Sequence, residues 1–305
     1  MSVKNFLISI FIRYFAAQKQ KNMEIVNTVA SLKARIEAYK QEKKSIGLVP
    51  TMGALHKGHA SLVSRSVSEN DVTVVSVFVN PTQFNDKNDL ANYPRTLDAD
   101  CQLLRQLGAT LVFAPTPEEI YPEPDTRQFS YPPTDTVMEG TYRPGHFNGV
   151  CQIVSKLFMY AQPDKAYFGE KDFQQIAVIK RMANDLTFEG LTIVPCPIVR
   201  EADGLAMSSR NTLLTASERM IAPAIYQNLQ ASVDYAKTHT VAETQQWTID
   251  QINAVDGLEV QYYEIVNADT LESVIDWNEA SHIQGCITVF CGHTPIRLID
   301  NIKYK

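Results

Sequence analysis

The stretch Pro50-Thr51-Met52-Gly53-Ala54-Leu55-His56-Lys57-Gly58-His59 decides how this chain is read. It follows the short apolar run Ile46-Gly47-Leu48-Val49, which has the length of a buried strand, and it precedes Ala60 to Val67, where apolar residues recur at helical spacing. The motif therefore lies on a strand-to-helix turn. At the carboxyl end of a parallel strand such a turn opens onto a helix N-terminus, whose unpaired N–H groups and dipole favour an anion, and α/β folds hold phosphates there. His56 and His59 are three residues apart, so a first helical turn containing both puts their imidazoles on one face. Gly58 between them lets the backbone approach a ligand that a Cβ would push away. That geometry suits two hydrogen-bond donors acting on one polyphosphate. A His-x-x-His pair also arises by accident, or with one His as a satisfied turn residue. Zinc fits less well, because the Glu of His-Glu-x-x-His is absent, the spacing is three rather than four, and no nearby Cys or Asp completes a tetrahedral site.

Three more turns accompany this one. The β-branched run from Val72 ends in Val77-Phe78-Val79-Asn80-Pro81-Thr82-Gln83-Phe84, which places the Asn80 and Gln83 amides just past a strand end, where amides can read a substrate's hydroxyls. Lys165 to Phe168 reads as a strand, and Gly169-Glu170-Lys171-Asp172-Phe173-Gln174-Gln175 turns from it into a helix. Val199 to Asn211 is polar, contains glycine and is too irregular for core; its Ser208-Ser209-Arg210 sets two hydroxyls beside a guanidinium, a combination suited to phosphate oxygens. Taken singly, each has a bland reading: Lys171 as a solvated charge, Asp172 as an N-cap, Met52 or Met207 as core.

In order and spacing, PTMGALHKGH, FVNPTQF, YRPGHFNGV (142–150), GEKDFQQ and DGLAMSSRN resemble the pantoate–β-alanine ligase (pantothenate synthetase) family, from about Met23 to the C-terminus. The resemblance implies a Rossmann-like parallel-sheet domain of the nucleotidylyltransferase type, with His56-Lys57-Gly58-His59 as its His-x-Gly-His signature and Met207-Ser208-Ser209-Arg210 in place of a Lys-Met-Ser-Lys-Ser loop. It implies ATP-dependent joining of pantoate to β-alanine through a pantoyl adenylate, with ATP, pantoate and β-alanine as partners and Mg2+ arriving with ATP. By resemblance, His56, His59 and Lys171 would be catalytic, His59 as proton donor. Met52, Gly53, Ala54, Leu55, His56, Lys57, Gly58, His59, Gly169, Glu170, Lys171, Asp172, Val199, Met207, Ser208, Ser209 and Arg210 would bind ATP, Asp172 through the ribose. Gln83, Gln175, Met52 and Asn80 would bind the substrates pantoate and β-alanine, Gln83 and Gln175 gripping pantoate, with Met52 and Phe78 as apolar walls. No metal is expected to be held by protein side chains alone. Arg143 and His146 read either as ordering the 142–149 loop or as solvated loop residues. Two rivals stand beside this reading: an adenylyltransferase acting on a phosphate-bearing acceptor, which the amides Gln83 and Gln175 disfavour, and a noncatalytic nucleotide-binding protein.

Composition bounds these readings. With 305 residues, 45% of them hydrophobic, the chain can build a substantial core as one large or two smaller domains. A net charge of −6 argues against a general nucleic-acid binder. The five cysteines, Cys101, Cys151, Cys196, Cys286 and Cys291, are odd in number and scattered, which favours buried thiols in a reducing, cytoplasmic setting. Residues 1–22 contain the apolar Phe6 to Ile12 between Lys4 and Arg13; the segment is too short to span a bilayer and reads as an extension from an upstream start rather than an export signal.

From Met23, a helix over Val29 to Tyr39, strands near 46–50 and 72–79, a helix over Leu97 to Leu107 and a strand over Thr110 to Ala114 give the rhythm of parallel βαβ units. A Pro-rich irregular stretch, 115–133, a 142–149 loop and a helix over Val150 to Tyr160 follow. Beyond Val199 the pattern changes to a long amphipathic helix over Ser217 to Thr238, a second helix, and strands at 260–266, 287–290 and 296–299 spaced for antiparallel pairing. The expected architecture is α/β: a domain over 23–198 and a smaller α+β lid domain over 199–305 hinged to close over the phosphates. A homodimer is expected from the resemblance, through the Val72–Val79 region.

Overall fold

The computed structural model describes residues 23–293 and 295–305, so the reading of residues 1–22 lies outside the described residues. Strands β1 (Glu24–Val26), β2 (Ile46–Thr51), β3 (Val72–Val77), β4 (Leu111–Phe113), β5 (Lys165–Gly169) and β6 (Thr192–Cys196) form one sheet in the order β1-β4-β3-β2-β5-β6, parallel at every pairing. Parallel neighbours cannot be joined by tight turns, so helices cross between them and cover both faces. The helices are α1 (Val29–Gln41), α2 (Lys57–Glu69), α3 (Leu97–Leu107), α4 (His146–Ala161) and α5 (Phe173–Asp185). Side chains alternate across each strand accordingly. Leu48, Val74, Leu111, Phe113 and Phe168 pack with α1, α4 and α5 on one face. Val49, Val75, Val112 and Tyr167 pack with Leu62 and Val63 of α2 and Leu104 of α3 on the other.

Chain order reverses at β2, with β3, β4 and β1 on one side and β5 and β6 on the other. The crevice outside the carboxyl ends of β2 and β5 is therefore the topological switch point, where open parallel sheets bind ligands. All four turns singled out in the sequence leave strand ends on this side.

The C-terminal part carries α6 (Ala224–Tyr235), α7 (Val241–Asn253) and strands β7 (Leu258–Asn267), β8 (Ile283–Cys291) and β9 (Ile296–Lys303), paired antiparallel in the order β7-β8-β9. Its apolar cluster, including Leu229, Ile252, Ile265, Ile287 and Val289, is separate from those flanking the parallel sheet. A small cluster of Met138 with Tyr262, Val266, Leu271 and Cys286 joins the two parts.

Three expectations are corrected. The helix expected over Ser217 to Thr238 is two, Ala216–Ile221 and α6, because Pro223 has no N–H for the helical ladder and its ring clashes one turn back. The 142–149 loop is mostly helical: a short helix covers Glu139–Tyr142, Pro144 and Gly145 make a brief break with Gly145 at φ +81°, and α4 begins at once at His146. Strand β3, the greater part of the Val72–Val79 region, offers no free edge or open face. β3 lies inside the sheet, hydrogen-bonded to β2 and β4, with Val72, Val74 and Val75 at most 2% exposed. Its β-branched residues mark burial between two helix layers.

All five cysteines are buried and free. Among the described residues no helix is long and apolar enough to cross a membrane.

Candidate active site

A cleft of about 230 Å3 lies at the switch point. Its wall includes Met52, His56, Gly58, His59, Phe78, Asn80, Gln83, Gly169, Lys171, Asp172, Gln175, Val199, Met207, Ser208, Ser209 and Arg210, so residues scattered widely along the chain converge on one space. Gly53, Ala54, Leu55, Lys57 and Glu170 do not line it. For the first three the reason lies in the backbone. The buried Asp100 carboxylate accepts the N–H groups of Ala54 (3.0 Å) and Leu55 (2.8 Å), and Thr51 Oγ1 accepts that of Gly53 (3.2 Å), so these amides hold the turn rather than face a phosphate. Ala54 itself sits at φ +49°, a left-handed conformation that the Asp100 clamp maintains.

The two histidines cap α2. His56 is the N-cap, and its Nδ1 accepts the Gly58 N–H at 3.1 Å; His59, at the third helical position, accepts the His56 N–H on its own Nδ1 at 3.3 Å. Their ring centroids are 4.1 Å apart. A nitrogen that accepts an N–H carries no proton, so each neutral ring has its hydrogen on Nε2. The pair thus presents two Nε2–H donors. Burial, reinforced by the Lys171 charge, pulls His56 down to about 4, while burial, His56 and Lys171 together pull His59 down to about 3. In these surroundings His59 is therefore neutral, a hydrogen-bond donor rather than a proton-loaded acid. Gly58 is required by this cap itself, since a Cβ there would lie 2.8 Å from His56 Cε1 and 2.9 Å from Nδ1.

Two side-chain amides, Gln83 and Gln175, line the same cleft. Gln83 Nε2 donates to Met52 Sδ at 3.3 Å, and its Oε1 accepts from Asn80 Nδ2 at 3.1 Å. Asn80 also donates to the Gly149 carbonyl and accepts from the Thr82 and Tyr121 hydroxyls. All of its hydrogen-bonding positions are thereby filled by protein, so it sets Gln83 rather than meeting a ligand. Gln175 lines the cleft with no hydrogen bond to its side chain among the described residues, which leaves that amide available.

Lys171 and Arg210 line the cleft, each beside a carboxylate. Lys171 Nζ lies 3.6 Å from Asp172 Oδ1, at the short turn between β5 and α5. Asn301 of β9 fixes this turn by donating to the carbonyls of Glu170 (2.8 Å) and Lys171 (3.1 Å). From the C-terminal side come Ser208, Ser209 and Arg210; Arg210 pairs with Asp89 at 2.8 Å and Ser209 Oγ lies 3.3 Å from the Tyr93 hydroxyl. Asp89, Tyr93 and Asp100 escaped the sequence reading. Asp89 and Asp100 occupy first turns of helices, where an acidic residue is ordinarily explained by the dipole.

Arg143 and His146 are not solvated loop residues. Both line the cleft, and His146 is 7% exposed. Among the described residues no three His, Cys, Asp or Glu side chains gather into a metal site.

The chain matches the family model of pantoate–β-alanine ligase over residues 24–303. It is 64% identical to the pantothenate synthetase of Phocaeicola vulgatus over 283 residues, 93% of this chain and 100% of that protein. The crystal structure of pantothenate synthetase from Thermus thermophilus superposes with a TM-score of 0.86 at 42% identity, covering 92% of this chain and 99% of that one. The pantoate–β-alanine ligase from Francisella tularensis, solved with a β,γ-ATP compound and β-alanine, gives 0.77 at 34% identity over 92% and 98%. A match over nearly the whole length, on a cleft assembled from the five sequence motifs, establishes that the chain belongs to the pantoate–β-alanine ligase family.

Proposed function

We propose that this chain joins pantoate to β-alanine through a pantoyl adenylate, releasing pyrophosphate and then AMP. The observation that carries this reading is the convergence on one cleft of donors suited to phosphates, His56, His59, Lys171 and Ser208 to Arg210, with two side-chain amides, Gln83 and Gln175. Amide formation from a free carboxylate is uphill in water, so the acid must first acquire a leaving group. A carboxylate oxygen attacks the α-phosphorus and the bond to pyrophosphate breaks; the amine then attacks the acyl carbon, loses a proton, and the bond to AMP breaks. No protein nucleophile is needed, and the side chains supply position and charge. The His56 and His59 Nε2–H donors and Lys171 would meet charge building on the phosphates, Asp172 the ribose, and Gln83 and Gln175 the hydroxy acid. Arg210 would exchange Asp89 for phosphate oxygens.

The chemistry of the donor set fits a magnesium ion that travels with ATP: phosphate oxygens and water are its preferred ligands, and the Ser208 and Ser209 hydroxyls line the cleft where it would sit. When bound, it neutralises phosphate charge. The separate apolar clusters support reading 199–305 as a lid domain on the 23–198 domain. The buried free thiols support a reducing, cytoplasmic setting. A homodimer belongs to the same reading, with an interface away from β3.

Incubation with ATP, magnesium, pantoate and β-alanine should yield AMP, and pantoate alone should support exchange of labelled pyrophosphate into ATP. Exchange that ignores pantoate, or AMP release that ignores β-alanine, would remove the proposal.

A further inference from the structure

The YRPGHFNGV segment has no part in the chemistry above, yet its residues converge on the backbone of Gln83. His146 Nδ1 lies 2.8 Å from the Gln83 carbonyl oxygen. A carbonyl can only accept, so Nδ1 carries the hydrogen, and the other ring nitrogen, Nε2, is an acceptor facing Arg143 Nη1 at 3.3 Å. Arg143 Nη2 reaches the same Gln83 carbonyl at 3.4 Å. One turn along α4, Gly149 packs against this segment so closely that a Cβ would lie 2.7 Å from Gln83 Cα, and its carbonyl accepts from Asn80. The first turn of α4 thus grips Gln83 from behind, while the side-chain amide faces the cleft.

We propose that His146 is a positioning residue for the acid substrate: its Nδ1–H, oriented by Arg143 on Nε2, fixes the Gln83 turn and so the amide that grips pantoate. This rests on the reading of Gln83 as a pantoate ligand. His146 has the opposite tautomer to His56 and His59, so the cleft uses its histidines in two ways, two aimed at the ligand through Nε2–H and one aimed at the backbone through Nδ1–H. Burial and the adjacent Arg143 charge pull His146 down to about 4, consistent with a neutral ring in this role.

The test is a set of variants of the full chain in steady-state kinetics, each substrate varied in turn, with thermal melting as a fold control. His146→Leu should raise the KM for pantoate about tenfold, as expected when a buried hydrogen bond is lost, with that for ATP changing less than about twofold. His146→Asn, whose amide nitrogen can take the place of Nδ1, should restore the pantoate KM to within about threefold of the parent. In a Gln83→Ala background, His146→Leu should add nothing, because both act through one group. If the leucine variant does not fold, His146→Gln, whose longer amide extends to the Nε2 position and leaves the carbonyl unpaired, takes its place. Equal rises for both substrates, failure of Asn to rescue, or a further loss in the Gln83→Ala background would overturn the proposal, the last by making His146 a direct ligand. If Gln83→Ala raises the pantoate KM and His146→Leu does not, the positioning role falls alone; if Gln83→Ala leaves it unchanged, the reading of Gln83 falls with it.

Discussion

Replacing Glu139 by Ala should show how the C-terminal sheet is held against the active-site wall. Glu139 lies in the short helix before α4, and its carboxylate receives both Arg297 Nη atoms at 2.6 Å, the Tyr262 hydroxyl at 2.8 Å and the Thr288 hydroxyl at 2.9 Å, all three partners on the C-terminal sheet. Arg143, on the cleft wall, lies 3.6 Å away. Burial would push such a carboxyl up, but the Arg297 guanidinium outweighs it and holds Glu139 down at about 2. The two side chains are 10% and 21% exposed, so solvent screens the pair little. Removing one partner of a buried pair leaves the other charged and unmatched, at a cost of about 3–5 kcal/mol. At about 2–4 °C per kcal/mol for a chain approaching this size, the melting temperature should fall by about 10 °C. Differential scanning calorimetry of Glu139→Ala, Arg297→Leu and the double variant would measure it, and the double variant should melt well above the level given by adding the single losses. A single-variant loss below about 2 °C, or strictly additive losses, would refute the idea that this pair latches the two parts together.

Other outcomes follow from the same geometry. His59→Ala should lower pantoate-dependent pyrophosphate exchange by about a hundredfold or more, the loss typical of one preorganised donor, in a protein that still melts cooperatively; a near-parental rate would release His59 from its role. Gly149→Ala should push α4 off the 81–83 turn, because the new methyl meets backbone rather than movable side chains, and kcat/KM for pantoate should drop by about a hundredfold as Gln83 shifts by about 1 Å; parental kinetics would refute the close approach. Acid should destabilise the protein in a defined window. His56, His59 and His146 titrate near 6.5 when unfolded but at about 4, 3 and 4 when folded, so the unfolded chain binds more protons between these values. Their contribution is complete above about pH 6.5 and is lost as pH falls toward about 4 and then about 3. Melting temperature should decline across that range, less steeply in His59→Gln, and an equal decline in both proteins would count against the depressed values.

Periodicity and turn chemistry carried much of the fold. The helix near Leu97 to Leu107 was legible from its apolar spacing, and in the structure Gly108 closes it at φ +85°. The apolar runs at 46 and 72 read as strands because parallel strands are buried on both faces and so carry continuous apolar sequence. The four turns of the site were legible for a related reason: a strand end followed by a helix start is a local pattern, and the chemistry of His56, Lys171 and Arg210 is written in residue type. What the local pattern could not carry was direction. Nothing in PTMGALHKGH says that the Ala54 and Leu55 amides turn toward Asp100, far along the chain, instead of toward a phosphate. The tautomers of His56, His59 and His146 are likewise set by which backbone group happens to face each ring. The excess of valine in β3 looked like an interface from sequence, but only the order β4-β3-β2 places it inside the sheet. Glu139 and Arg297, 158 residues apart, form a pair that no spacing rule could join. Local propensity depends on a few neighbouring residues and is therefore written in sequence; hydrogen-bond partners and buried charge pairs depend on which distant elements pack together, and only the assembled tertiary structure decides that.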